Sequence, residues 1–250
     1  MKKLSLLLCS VWVLLCSVSL QAQNKEYYGS FFGIRSDGET NNTGSLQYAV
    51  NFISEQGGGT LVLWVGRYLT GSIELKSNVT IQLNEGAILV GVPSPYDYAG
   101  KEHKALLWAD GQENISVIGQ GVIDGQGASV QKLSSEQAMK GYAKDEPVAL
   151  IAFSNCNNVK VSGLMLKNAA GPVQFYKNCQ GVTIDELSIF SKDYPKCEGL
   201  SLYGGSNITI SNVFFDVSGF PIANRANAKL KVSNAKTASG SKNIVWTIKY

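Results

Sequence analysis

Few residues of this chain have the type and setting to do chemistry. The only histidine, His103, lies between Glu102 and Lys104 in the loose stretch from Pro93 to Lys104, where a solvated loop is the simplest reading. Beyond the first 22 residues three cysteines remain, Cys156, Cys179 and Cys197, spaced 23 and 18 residues apart with no histidine near them. That spacing places one in each of three successive repeats, so buried small apolar side chains are expected rather than a metal site, and an odd number permits one disulfide and one free thiol. No acidic cluster is dense enough to hold calcium, so no metal or cofactor is expected. Asp124, before Gly125, reads as a turn cap.

These residues are strung on a repeat. In Ser206 to Phe215 a short strand, a polar break and a second short strand follow one another, and Ile208 and Ile210 face one side while Thr209 and Ser211 face the other. The same Asn or Gly followed by alternating apolar residues recurs with first apolar positions 79, 115, 159, 182, 208 and 244, at intervals of 36, 44, 23, 26 and 36. The shorter intervals suit solenoid coils and the longer ones leave room for loops. One such rung cannot bury its apolar side alone, whereas rungs stacked in parallel make a continuous interior. Asn before each strand suits a turn, because it tolerates left-handed backbone angles. The expected fold is all-β, a right-handed parallel β-helix. A sandwich of antiparallel hairpins ranks second, since turn pairs such as Asp37-Gly38 and Asp124-Gly125 are few.

Thr43 to Gln56 carries Leu46, Ala49, Val50 and Ile53 at helical spacing, with Thr43 or Ser45 to cap it and Gly57-Gly58-Gly59 to end it. Such a helix would close the N-terminal end of the solenoid. Residues 128–145 are expected to form an inserted loop or short helix, and 220–250 an irregular C-terminal end. Ending on the strand-like Trp246 to Tyr250 would leave an open edge. A cap within 220–250, self-association through that edge, or a shortened chain are the alternatives.

Residues 1–22 read as a secretory signal, with Lys2-Lys3, an apolar run from Leu4 to Leu15 and small residues toward Ala22. The run is short for a membrane span, so residues 23–250 are expected as one exported domain. With 250 residues, 44% hydrophobic and 16% charged, and a net charge of +3 to which Lys2 and Lys3 contribute, there is no basic face of the kind nucleic acid requires.

Gly57-Gly58-Gly59-Thr60, Gly66 to Thr80, Gly86-Ala87-Ile88-Leu89 and Gly121 to Gly127 together resemble the N-terminal half of family 28 glycoside hydrolases, the polygalacturonases and related pectin-cleaving enzymes. The resemblance runs from about Phe32 to Phe215. It implies a right-handed β-helix and inverting hydrolysis of galacturonan or rhamnogalacturonan by aspartates. Inversion needs an acid and a base roughly 6.5–9.5 Å apart. The family's Asn-Thr-Asp-Gly motif falls on Lys196-Cys197-Glu198-Gly199, and its Gly-Asp-Asp motif on Ser218-Gly219-Phe220. Glu198 is therefore the candidate catalytic carboxylate, with Asp193 or Asp216 as possible partners. The later His-Gly and Arg-x-Lys motifs have no counterpart, and a family Trp and His correspond to Pro172 and Phe175. Two functions follow. A pectin-directed hydrolase needs Glu198 and a second carboxylate on one groove. A non-catalytic glycan-binding β-helix needs a groove lined by Tyr203, Phe175 and Tyr176, with Arg225 as a further polysaccharide contact. A lyase would need the calcium carboxylates that are missing, and a damaged enzyme is the remaining alternative.

Overall fold

The computed structural model describes residues 25–142, 144 and 146–248. The expected signal segment lies outside the described residues. Among the described residues, three sheets of eight, eight and seven strands run the length of the molecule, and beyond the first coil every strand pairs in parallel with the strand three places on in sequence. The chain therefore winds through sheets 1, 2 and 3 in turn and begins again.

The interior is built by the alternation read from the sequence. Ile81, Val117, Val161, Ile184, Ile210 and Val232 stack in register across six coils of sheet 1. Those from Ile81 to Ile210 are at most 2% exposed. The residues that start these strands, Asn78, Asn114, Asn158, Gly181 and Asn207, all take the left-handed conformation, with φ between 51° and 65°. Stacking these turns lets one amide satisfy the next. Asn114 Nδ2 donates to Asn78 Oδ1 at 2.8 Å, and Asn158 Nδ2 to Asn114 Oδ1 at 2.7 Å.

Helix α1, Thr43–Glu55, buries Leu46, Ala49, Val50 and Ile53 against the first coils. Its N-cap is Asn42 rather than Thr43 or Ser45. Asn42 turns its side chain to the backbone of Arg35, and the Thr43 hydroxyl accepts from Gly71 N–H at 2.6 Å. The insertion resolves into α2, Gly127–Met139, which buries Val130 and leaves Met139 exposed.

The irregular end expected over 220–250 is corrected. Ile222–Arg225, Leu230–Ser233, Lys236–Thr237 and Val245–Ile248 extend all three sheets. The apolar pattern is weak there because these strands are short and one inward position holds Asn224, whose amide satisfies itself on the Ala228 backbone. The three cysteines are free and buried, their thiols donating to the carbonyls of Ser154, Phe153 and Gly171. Asp124 does cap a turn, accepting from Gln126 N–H and Asn168 Nδ2 and pairing with Lys167. Among the described residues no helix is long and apolar enough to cross a membrane.

Candidate functional site

Glu198 ends the turn between sheets 2 and 3, just before the strand Leu200–Tyr203. In that strand Leu200 and Leu202 point into the core, so Ser201 and Tyr203 must point out. The next coil places Arg225 beside Tyr203 in register. Arg225 consequently reaches back to Glu198: Nη2 lies 2.5 Å from Oε1 and Nη1 2.8 Å from Oε2. Ser201 Oγ also donates to Oε2. The two side chains are only 12% and 15% exposed. The guanidinium is also 5.2 Å from the Tyr203 ring centroid. This is a two-pronged guanidinium–carboxylate pair, the strongest form of ion pair available to side chains. Both oxygens of Glu198 are engaged, and neither is presented as a free proton donor or as a base for water.

The other sequence candidates scatter. Asp216 lines the same cleft as Glu198 but is held by Lys192, with Nζ to Oδ1 at 2.6 Å. Asp193 is exposed near the start of the same turn that Glu198 ends, and is not among the cleft residues. Phe175 and Tyr203 lie on the outer surface of sheet 3, rings 5.1 Å apart. Tyr176 is corrected: as the neighbour of outward Phe175 it must face inward, is fully buried, and donates its hydroxyl to Gln174 Oε1 at 2.7 Å. It cannot touch a ligand.

His103 is also corrected. It packs on Phe175 with ring centroids 5.1 Å apart, and burial lowers its pKa below the usual value. Ion pairs on its neighbours hold the segment onto the sheet: Lys101 pairs with Asp110 at 2.5 Å, Glu102 with Lys177 at 2.6 Å and Lys104 with Glu146 at 2.9 Å. The segment is thus strapped across the outer face of sheet 3, over an apolar patch of Ala105, Ala149, Ala152 and Phe175. Past the strap, successive turns between sheets 2 and 3 enclose a cleft of about 920 Å³. Its walls carry Lys192, Lys196, Glu198, Asp216, Phe220 and Trp246. Phe220 stands on the position that corresponds to the family's second aspartate motif, and its ring lies 4.9 Å from Trp246.

Four of these cleft residues were not singled out from sequence as binding residues: Lys192, Lys196, Phe220 and Trp246. Lys196 and Phe220 stand on the two motif positions, which was a usable signal. No group of three or more His, Cys, Asp or Glu among the described residues is disposed to hold a metal ion.

A sequence profile of "Glycosyl hydrolases family 28" matches residues 63–241. The chain belongs to this family. An exopolygalacturonase of Zea mays is 28% identical over 201 residues, which is 76% of this chain and 47% of the maize enzyme. The chain thus spans about half the length of the curated relatives it matches. A provisionally assigned glycosyl hydrolase of Parabacteroides merdae is 41% identical, with a TM-score of 0.80 over 87% of this chain and 97% of that one. The family 28 exopolygalacturonase of Yersinia enterocolitica shares the fold, with a TM-score of 0.76 at 21% identity over 86% of this chain and 49% of that one. Family and fold are as the glycine motifs and the repeat implied.

Proposed function

We propose that this exported family 28 β-helix binds a pectin-type polysaccharide of the galacturonan class in the cleft beside Glu198 and does not hydrolyse it by two-carboxylate inversion. The observation that carries this reading is the engagement of Glu198 by Arg225 and Ser201, with Phe220 standing where a second acid would be needed. A carboxylate with both oxygens engaged by a guanidinium is not held as an acid that can protonate a leaving oxygen, whereas cationic and aromatic walls still suit an acidic glycan. The pectin class is supported by family membership and by the polygalacturonases among its relatives.

A second reading, hydrolysis by a rebuilt pair of Glu198 and Asp216, draws on the fact that both line one cleft. Electrophoresis through gels containing polygalacturonate, beside gels with a neutral galactan, separates the two when combined with a reducing-end assay. Retardation by polygalacturonate without new reducing ends is expected. Rapid release of reducing ends would replace the binding reading with the hydrolase.

A further inference from the structure

The outward row of sheet 3 runs Phe175, Ser201, Ala223, Trp246 in register. Two small side chains thus separate two large aromatic ones, and the row dips between them. Phe220 comes from the turn above and leans on Trp246, rings 33° from parallel, and the two remain 36% and 41% exposed. A tilted aromatic pair left this open in a concave wall offers flat apolar faces with polar groups around them. A pyranose ring, apolar on its C–H face and polar at its edge, has the complementary surface.

The charge around this pair is uneven. Lys192, Lys196 and Arg225 give +3, and Glu198 and Asp216 give −2, leaving +1 on the wall. Arg225 is taken by Glu198 and Lys192 by Asp216, whereas Lys196 has no salt bridge among the described residues. Lys196 also lines the smaller hollow of about 170 Å³ that holds Phe175 and Tyr203, so it stands where the two hollows meet. It holds a left-handed backbone, φ 56°, a conformation that costs a lysine about 1–2 kcal/mol and is otherwise taken mainly by Asn and Gly in this chain. The turn is fixed from below: a side chain at Gly219 would strike the Lys196 carbonyl at 2.6 Å.

We infer that Phe220, Trp246 and Lys196 form a subsite for a single uronic acid residue, the aromatic pair stacking on the sugar ring and the ammonium of Lys196 receiving its carboxylate. The inference rests on the reading that the cleft holds an acidic glycan, and it names the three side chains that select the acid. Lys196 rather than Arg225 is the selecting cation because Arg225 is already committed. A neutral sugar would meet the same platform but leave the ammonium without a partner, so discrimination should weaken as salt screens the charge.

The test is titration calorimetry of the full chain with trigalacturonate and with galactotriose, using W246A, F220A and K196Q, and thermal melting to confirm that each variant is folded. W246A should weaken trigalacturonate about tenfold, the loss of roughly 60 Å² of apolar contact. K196Q should weaken trigalacturonate by a similar factor and leave galactotriose unchanged. If folded W246A and K196Q bind trigalacturonate as the parent does, while the parent still binds polygalacturonate, the subsite is wrong and the glycan-binding reading stands. If the parent binds neither the trimer nor the polymer, both fall together.

Discussion

Replacing Arg225 by methionine leaves the Glu198 carboxylate with Ser201 as its remaining hydrogen-bond donor, in a setting where it is 15% exposed. Exposed ion pairs contribute only about 0–1 kcal/mol, while removing one partner of a buried pair costs about 3–5 kcal/mol, because the survivor is stranded. At 12% and 15% exposure this pair belongs near the lower end of the second class, about 3 kcal/mol. For a domain of this size each kcal/mol moves the melting temperature by about 2–4 °C, so R225M should melt about 6–12 °C below the parent. Removing both charges in R225M/E198L should recover most of the loss, since apolar replacements of a buried pair are often neutral. Circular dichroism melts of the parent, both single variants and the double variant complete the cycle. A loss below about 0.5 kcal/mol for R225M, with effects that simply add, would show the pair to be incidental and would release Glu198 for acid–base work.

Other consequences are as direct. Gly119 has φ 129°, and a Cβ there would lie 2.0 Å from the Leu83 carbonyl oxygen, so G119A should cost about 3 kcal/mol or more and be visible in melting or in soluble yield. Asn158 combines a left-handed backbone with a ladder hydrogen bond. N158A should lose about 1–2 kcal/mol and N158G less, because glycine restores the backbone but not the bond. Burial lowers His103 from its usual 6.5, so the unfolded chain takes up the proton first. Stability should therefore be full above pH 6.5 and fall as pH drops through the lower folded value, despite the nearby Glu146. Melts of H103F across pH 4–8 should lack this component.

How much could be read from the residues depended on local rules. Ile208 and Ile210, the left-handed asparagines and the amphipathic face of α1 follow from period and turn chemistry alone, and all are found. Phase was harder: Gln174-Phe175-Tyr176-Lys177 says that Phe175 and Tyr176 face opposite ways, but with aromatics at both positions it does not say which faces out. His103 looked solvated because charges flank it, yet those charges find partners that pin the ring onto Phe175. The Glu198–Arg225 pair spans 27 residues, close to the 26 between the strands at 182 and 208, so coil length held the clue. Reading it required knowing that the solenoid continues past Gly219, where Ala, Asn and Lys dilute the pattern.

The most direct measurement is the initial rate of reducing-end release from polygalacturonate by the parent chain, E198Q and D216N at equal concentration. The account predicts that all three stay at the no-protein baseline while the parent is retained by the polymer. Release by the parent that disappears in E198Q would contradict it, and would make the carboxylate gripped by Arg225 a working member of an acid–base pair.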